Sequence, residues 1–357
     1  MYICLPEHLS LHLYLLTNSE KKLRNNCTLQ DISTQLDDLL DSAFNSLPVP
    51  EQPESLYDPV RYIMDLGGKR LRPRLLLLTA GLCGVKPGDA MPAALAVEML
   101  HNFTLIHDDM MDNAGTRRGK PTVHVKWNSA TAILSGDVMF VLAMKQLAAQ
   151  SQHAGLSGAG STRLMQRFLD AVQIVCDGQA MDMDFEQRDD VSLTEYLDMI
   201  GAKTAALISC SMELGAMTAD ADDKVVRDCG EIGHHAGLAF QIQDDLLDAV
   251  GDAAIFGKKA GGDIIEGKKT WLTILALERA DDTDRLLLRQ ILNDKNTGES
   301  DILRVIRIYH DLGVLDDAIK AVKNHYANAL QILDRFEKSV YREEIKVLLD
   351  KLKVRDN

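Results

Sequence analysis

The stretch AALAVEMLHNFTLIHDDMMD, residues 93–112, is apolar over most of its length and ends in an acidic cluster. Apolar residues recur three and four positions apart on more than one face, which predicts a long helix at the centre of a helical bundle. Asp108 and Asp112 lie four residues apart on one face of that helix, whereas Asp109 points about 100° away. Two stacked carboxylates therefore project from the end of a core helix.

The same acidic spelling returns beyond the midpoint of the chain, in FQIQDDLLD at residues 240–248. Asp244 and Asp248 share one helix face, and Asp245 points away from them. Either cluster alone is typical of a solvated helix surface. Two copies in matched apolar surroundings instead predict a cleft with facing carboxylates. Such a cleft suits Mg²⁺, which binds a few carboxylates, water and phosphate oxygens, with Mn²⁺ as an alternative ion.

Nearly every other segment shows helical periodicity, and we find no convincing strand pattern. We predict an all-α fold, a single-domain bundle of about ten or more helices around a central cavity. One continuous helix is expected over residues 193–217. Residues 29–357 form the predicted domain, and residues 1–28, which fit no later pattern, are expected to be an N-terminal extension.

The composition narrows the class of protein. The 357 residues are 46% hydrophobic and 26% charged, as in a globular chain with a sizeable core. A formal net charge of −14 argues against nucleic acid as a partner, because phosphate backbones need a basic footprint. The six cysteines are scattered without a CxxC pair, which is typical of a reducing compartment. No apolar run reaches the roughly 18 to 20 residues of a membrane span, so we expect a soluble, cytoplasmic protein without a transmembrane segment.

Basic residues accompany both acidic clusters. GGKRLRP (67–73) places three cations on a turn that leads into a helix N-terminus, where free N–H groups also favour anions. The first acidic cluster is followed by Arg117, Arg118 and Lys120, and the second by Lys258, Lys259, Lys268 and Lys269. Each basic cluster either seats a phosphate that a carboxylate-bound metal bridges, or merely caps a helix.

Other chemistries lack their motifs in this sequence. GDIIEGKK (262–269) is close to a P-loop, but a lysine occupies the hydroxyl position and no buried strand precedes it. Motifs of zincins, zinc fingers, α/β-hydrolases and dinucleotide enzymes are absent. Carboxylates and cations in an apolar helical cavity fit activation of a diphosphate leaving group, followed by a carbocation reaction that excludes water.

Several stretches resemble the trans-isoprenyl diphosphate synthase (polyprenyl synthetase) family. They are GGKRLRP (67–73), LIHDDMMDNAGTRRGKPTVH (105–124), GQAMDMD (178–184), KT (203–204), FQIQDDLLD (240–248), FGKKAGGD (256–263) and GKKT (267–270). The resemblance implies the isoprenoid synthase fold and a homodimer. It also implies a Mg²⁺-dependent head-to-tail (1′-4) condensation of isopentenyl diphosphate with an allylic diphosphate, which is dimethylallyl, geranyl or farnesyl diphosphate.

The resemblance also assigns roles to individual residues. Mg²⁺ would be held mainly by Asp108, Asp112 and Asp244, with Asp109, Asp245 and Asp248 supporting them or holding water. The allylic diphosphate would be bound by Arg117, Lys203, Lys258 and Lys268, and the diphosphate of isopentenyl diphosphate by Lys69, Arg72, His101 and Arg118. The carbocation would be lined by Lys203, Thr204 and Gln241, with Gln179 and Asp182 at the edge of the same pocket. The role of His101 rests on the resemblance. Spacing alone favours a packed side chain, not a ligand, for a histidine on an apolar helix.

Product length depends on the helix that carries the first cluster. Thr104 lies one turn below Asp108, so a growing chain can run down this helix. By the resemblance, Phe103, five positions before the first aspartate, would close the pocket floor. Phe103 and the uninterrupted DDxxD resemble short-chain enzymes of the geranylgeranyl type, with farnesyl or longer polyprenyl products as alternatives.

Two other classes of protein compete with a prenyl elongase. A terpene cyclase would share the first acidic cluster, but its second metal motif would be of the Asn/Ser/Glu type and it would not need GGKRLRP. A noncatalytic partner subunit on the same fold would be expected to have lost acidic residues, and none is missing here.

Overall fold

The computed structural model describes residues 29–152, 156–250, 261–294 and 297–353, and over these ranges the regular secondary structure is helical apart from one short hairpin. The elements are α1 (Leu29–Asn45), α2 (Glu54–Asp65), α3 (Leu71–Leu82), α4 (Met91–Met111), β1 (Thr116–Arg117), β2 (Lys120–Pro121), α5 (Val123–Lys126), α6 (Ser129–Gln150), α7 (Gly158–Glu186), α8 (Leu193–Ile200), α9 (Ala206–Met217), α10 (Asp223–Val250), α11 (Gly262–Glu266), α12 (Trp271–Arg279), α13 (Asp282–Leu292), α14 (Glu299–Asp311), α15 (Val314–Leu333) and α16 (Val340–Lys353). A 3₁₀ turn, Pro87–Ala90, precedes α4. The predicted all-α class is confirmed.

The two acid-bearing helices, α4 and α10, form the centre of the bundle. α4 packs along α6, α10 packs along α15 and α9, and α9 packs against α3. Small residues allow the closest approaches, because a Cβ on Gly215 of α9 would lie 2.4 Å from the Leu76 carbonyl oxygen of α3. Both acidic clusters lie toward the C-terminal ends of their helices. The two ends lie near one another, because Lys203 lies 3.3 Å from Asp108 of α4 and the neighbouring Thr204 hydroxyl donates to Gln241 of α10.

Helix ends follow local signals in the sequence. α2 ends before Gly67, whose φ of +69° continues the chain in the left-handed region that glycine tolerates. Ser192 and Glu195 form a capping box at the start of α8. The Thr270 hydroxyl accepts from the Thr273 N–H at the start of α12. These local signals set the end of α2 and the starts of α8 and α12.

Two local elements differ from the sequence prediction. The expectation of no strands misses the hairpin of β1 and β2, whose two turn residues, Arg118 and Gly119, both have positive φ, as a type I′ turn requires. The helix expected over 193–217 is interrupted by a π-helical turn, Gly201–Ala205, between α8 and α9. Runs as short as two residues carry no periodicity, and one extra residue in a helical turn leaves the apolar pattern almost intact.

One helix among the described residues, α6, is long and apolar enough to cross a membrane by length and composition. This differs from the sequence expectation that no segment reaches that length. α6 packs lengthwise against α4, and core helices pass the same test of length and composition. The test alone therefore does not indicate a membrane span.

A histidine pair links α10 to α15. The Nδ1 atoms of His235 and His325 lie 3.1 Å apart, and the His234 ring is adjacent. Burial, followed by the neighbouring His235 and His234, lowers the pKa of His325 to about 4. Burial and His234 also lower the pKa of His235, which Glu231 opposes. Both rings therefore stay neutral in the folded protein at neutral pH.

We expect this pair to destabilise the fold in acid. The unfolded chain takes up protons near pH 6.5, so the free energy of unfolding should fall as pH drops from about 6.5 toward about 4. Because both rings are only half buried, the effect should be about 1 kcal/mol. His325→Gln should shrink this loss, measured as urea unfolding midpoints near pH 7 and near pH 4.5. If the difference between the midpoints at the two pH values is the same in His325→Gln as in the unaltered protein, the histidine pair does not contribute to the loss of stability in acid.

Candidate active site

The first acidic cluster ends α4, and its buried member organises the others. Asp109 is 1% exposed and accepts hydrogen bonds from Arg117 Nε at 2.8 and 2.9 Å, while Arg117 Nη2 lies 2.7 Å from the same carboxylate. Asp108, on the neighbouring face, lies 3.8 Å from Arg117. Asp109 therefore orients Arg117 toward the cleft, and Asp108 and Asp112 remain on the cleft side.

The second acidic cluster, on α10, repeats this division. Asp245 is 5% exposed and accepts from the Tyr196 hydroxyl at 2.5 Å, the Trp271 N–H at 3.1 Å and Gln241 Nε2 at 3.2 Å. Burial raises the pKa of Asp245 to about 6, and these hydrogen bonds oppose the rise. Asp245 is thus committed to structural partners, and Asp244 and Asp248 lie on the other face of the helix.

The π-helical turn carries Lys203 and Thr204 into the cleft. Lys203 Nζ lies 2.6 Å from Asp182 of α7 and 3.3 Å from Asp108 of α4. The Thr204 hydroxyl donates to Gln241 Oε1 of α10 at 3.0 Å. The turn thus joins both acid-bearing helices and α7, so four separate sequence stretches meet here.

Two glycines make room for this turn. A Cβ on Gly178 of α7 would lie 2.3 Å from the Lys203 backbone nitrogen, and one on Gly237 of α10 would lie 2.5 Å from Ala205 Cα. The backbone of the turn therefore reaches between α7 and α10. Neighbouring Gln179 donates to the Met111 sulfur at 3.7 Å, which places it beside the end of α4.

Basic residues from the start of α3, from α4 and from the hairpin line one large cavity. Lys69, Arg72, His101 and Arg118 share a cavity of about 1180 Å³. Gly68 is required for this arrangement, because its φ is +144° and a Cβ there would lie 2.6 Å from the Arg118 guanidinium. Burial, followed by the charges of Arg72, Arg118 and Arg117, holds the pKa of His101 well below its usual range. A neutral imidazole among guanidinium groups suits an anionic ligand.

Lys268 approaches the cleft from the loop before α12. Its Nζ lies 2.9 Å from Glu266 and 3.8 Å from Asp263. Although burial lowers the pKa of Lys268, the hydrogen bond that Lys268 donates to Glu266 and the charges of Asp263 and Asp112 raise it overall. Asp112 belongs to the first acidic cluster, so Lys268 faces the end of α4. Lys258, the other predicted lysine of this region, lies outside the described residues.

Phe103 packs between α4 and α6. Its ring contacts the His107 ring edge-on at 4.9 Å between centroids and the Phe140 ring at 5.9 Å. A Cβ on Gly136 of α6 would lie 2.3 Å from His107 Nε2, so this glycine lets the two helices close around the rings. The Thr104 hydroxyl donates to the His101 carbonyl at 2.8 Å. An aromatic wall therefore stands on the helix that ends in the first acidic cluster.

The carboxylates fit a divalent cation that also binds substrate. Among the described residues, no three His, Cys, Asp or Glu side chains converge closely enough to hold a metal alone. However, Asp108 Oδ1 is buried and, within the described part of the chain, has only the Lys203 ammonium, 3.3 Å away, as an ion-pair partner. Burial, followed by Asp108, raises the pKa of Asp112. Mg²⁺ needs few protein ligands when phosphate oxygens complete its octahedron. This donor set therefore fits Mg²⁺ in company with a diphosphate.

Sequence reasoning missed the groups that hold the cleft in place. Tyr196 and Trp271 anchor Asp245, and Gly178 admits the π-helical turn. Glu98 is 5% exposed and lies among the basic residues of the cavity, where burial raises its pKa and Arg72 and Arg118 lower it. Of these groups, Glu98 is the one that the sequence signals. It is an acidic residue inside the apolar stretch 93–112, and a helix that is buried on most faces has no exposed position for it.

Comparison with known proteins agrees with this geometry. The profile of the family described as polyprenyl synthetase matches residues 53–309. The chain is 36% identical over 322 residues to the short chain isoprenyl diphosphate synthase of Methanothermobacter thermautotrophicus, covering 90% of this chain and 97% of that protein. It is 44% identical over 247 residues to the geranylgeranyl diphosphate synthase of Saccharolobus solfataricus, covering 69% and 74%. The geranylfarnesyl diphosphate synthase of Aeropyrum pernix is 38% identical over 285 residues, covering 79% and 88%.

Solved structures show the same architecture. The geranylgeranyl pyrophosphate synthetase from Pyrococcus horikoshii superposes with a TM-score of 0.84 at 33% identity, covering 89% of this chain and 96% of that one. A polyprenyl synthase from Caulobacter crescentus, complexed with calcium and isoprenyl diphosphate, gives a TM-score of 0.80 at 28% identity, covering 90% and 98%. The chain therefore belongs to the polyprenyl synthetase family of prenyltransferases.

Proposed function

We propose that the protein condenses isopentenyl diphosphate head-to-tail with an allylic diphosphate and releases geranylgeranyl diphosphate. The observation that carries the proposal is the position of Lys203, whose ammonium lies between Asp108 and Asp182 beside the Thr204–Gln241 hydrogen bond. One cleft thus offers carboxylates for a metal, a cation for a diphosphate and neutral oxygens for a carbocation. The adjoining basic cavity then takes the second diphosphate.

Binding and ionisation use the cleft. Asp108, Asp112 and Asp244 would hold Mg²⁺, which supplies charge neutralisation to the diphosphate leaving group when bound. Arg117, Lys203 and Lys268 bind the same diphosphate, and Asp109 keeps the Arg117 guanidinium aligned. As the carbon–oxygen bond breaks, the electron pair leaves with the diphosphate. The allylic cation remains beside the Thr204 hydroxyl and the Gln241 amide.

Condensation uses the basic cavity. Lys69, Arg72, His101 and Arg118 hold the diphosphate of isopentenyl diphosphate, so its double bond faces the allylic cation. The new carbon–carbon bond forms from the alkene electron pair, and the resulting cation loses a proton to the released pyrophosphate. No side-chain nucleophile is needed, and the apolar helices exclude the water that would trap the cation.

The geranylgeranyl product is supported by the aromatic wall at Phe103 and by relatives named for that product. Relatives named for geranylfarnesyl diphosphate keep a longer product as the second candidate. The test supplies Mg²⁺, isopentenyl diphosphate and each allylic primer in turn, removes phosphate with phosphatase and separates the alcohols. Geranylgeraniol should be the main product with a farnesyl primer. Farnesol with a geranyl primer and no further elongation would overturn the product assignment.

We also propose a cytoplasmic homodimer. Ile133, Leu134 and Val141 of α6 are 46%, 59% and 48% exposed, an apolar face that a second copy would cover. Leu134→Asp should convert dimers to monomers in sedimentation velocity, because an uncompensated charge is costly in an apolar interface. Leu286→Asp is the matched control, since Leu286 is a 70% exposed leucine on α13. A monomeric unaltered protein, or a Leu134→Asp variant that stays dimeric, would contradict this interface.

A further inference from the structure

Arg74 of α3 joins three helices. Its side chain is 13% exposed and pairs with Asp37 of α1, donates to the Ser33 hydroxyl of α1 at 3.1 Å, and lies 3.6 Å from Glu344 of α16. α1 and α16 are the first and last helices among the described residues. One guanidinium therefore ties both ends of the described chain to α3, a task for which its planar fork of donors is suited.

The junction borders the basic cavity. Arg74, Ser33 and Asp37 line it on one side, and Leu348 and Lys351 of α16 complete that wall. Arg72, two residues before Arg74 on the same helix, lies among the cations of the cavity. None of the six aspartates of the acidic clusters, and neither Lys203 nor Lys268, is part of this lining. A shift of α1, or of the end of α16 that carries Glu344, would therefore reshape this cavity first. The other end of α16 meets α10, where the Lys353 carbonyl accepts from Gln243 Nε2 at 3.3 Å.

The two acidic partners of Arg74 differ in burial. The Glu344 side chain is 4% exposed and has Arg74 as its neighbouring cation, whereas that of Asp37 is 58% exposed. Burial lowers the pKa of Arg74, and Glu344 opposes this. Neutralising Glu344 removes a buried charge from the Arg74–Glu344 ion pair, which joins α16 to α3. Neutralising Asp37 weakens only the solvent-exposed ion pair between α1 and α3, which should have a smaller effect.

We propose that Arg74 is a positioning residue for isopentenyl diphosphate, holding α1 and α16 as the outer wall of its cavity. This rests on the proposed function, because that function assigns the cavity to this substrate. Arg74 does not touch the reacting atoms. It acts by fixing the distance between the wall and the cations that bind the diphosphate.

The test compares Glu344→Gln, Asp37→Asn and the double variant. We expect KM for isopentenyl diphosphate to rise roughly 10-fold in Glu344→Gln and roughly 3-fold in Asp37→Asn. KM for the allylic diphosphate should stay within roughly 2-fold, since that substrate binds in the other cleft. The double variant should raise KM for isopentenyl diphosphate by less than the product of the two single-variant increases, because both substitutions act through the Arg74 guanidinium. Hydrogen exchange should accelerate in α1 and α16.

Glu213→Gln is the matched control. Glu213 is a glutamate with a 15% exposed side chain that pairs with Arg167 between α7 and α9 and does not line the cavity. It should lower stability without changing the ratio of the two KM values. Equal changes in both KM values of Glu344→Gln, or equal ratios in Glu344→Gln and Glu213→Gln, would overturn the proposal.

A turnover-free measurement separates this proposal from the proposed function. Isopentenyl diphosphate is titrated calorimetrically in EDTA without an allylic partner. Weaker binding by Glu344→Gln than by Glu213→Gln supports the wall role even if no product forms in any assay. Equal affinities in the two variants overturn it even if prenyl transfer is confirmed.

Discussion

Asp108→Asn should lower kcat/KM for the allylic diphosphate by roughly 10³-fold or more. The carboxamide keeps the size of the side chain but removes the negative charge that lies 3.3 Å from Lys203 and beside Arg117. Without it, the metal that neutralises the leaving group loses a ligand. The fold should survive, because Arg117 keeps Asp109 and Lys203 keeps Asp182 as partners. Steady-state kinetics with Mg²⁺ in excess measure the effect.

The second substrate provides an internal check on this variant. KM for isopentenyl diphosphate should change little, because Asp108 does not line the basic cavity. Asp316→Asn, which alters an exposed aspartate of α15 away from the proposed dimer face, is the control for loss of one surface charge. Activity of Asp108→Asn within tenfold of the unaltered protein would remove Asp108 from the metal site.

Phe103→Ala should lengthen the product by one or more isoprene units. The substitution removes a ring that contacts Phe140 and His107, which opens space between α4 and α6. Total turnover should stay within a few-fold, since no group of the cleft is lost. Stability should fall by about 3 kcal/mol, as is typical when a packed aromatic ring is truncated. Chromatography of the dephosphorylated alcohols gives the product distribution.

Two further substitutions test whether the size of the side chain at position 103 sets the product length. Phe103→Leu should give a mixture of the original and longer products, because it leaves part of the wall. Phe168→Leu, at a fully buried phenylalanine of α7, tests general loosening of the core and should leave the product unchanged. If Phe103→Ala still releases only the original product, the floor of the pocket lies elsewhere.

Repeating local patterns made much of this molecule predictable from sequence. The period of apolar residues gave the helices, and the four-residue spacing in each acidic cluster separated Asp108 and Asp112 from the buried Asp109. The same spacing separated Asp244 and Asp248 from Asp245, which the structure buries. These relations depend on a single helix, so they need no knowledge of the fold.

Contacts between distant segments were not predictable in this way. The partners of Asp245, Tyr196 and Trp271, lie 49 and 26 residues away in the chain, and those of Arg74 lie on α1 and α16. The π-helical turn that delivers Lys203 depends on Gly178 and Gly237 of two other helices. Each of these features arises from packing between elements, which one sequence does not encode as a local pattern.

The most direct test of the central claim is transfer of radiolabelled isopentenyl diphosphate into acid-labile allylic product by the unaltered protein. We predict transfer with Mg²⁺ and an allylic primer, its loss in EDTA, and its return when Mg²⁺ is restored. Release of pyrophosphate should match the number of units added. No labelled product with dimethylallyl, geranyl or farnesyl diphosphate, in the presence of Mg²⁺ or Mn²⁺, would contradict the account.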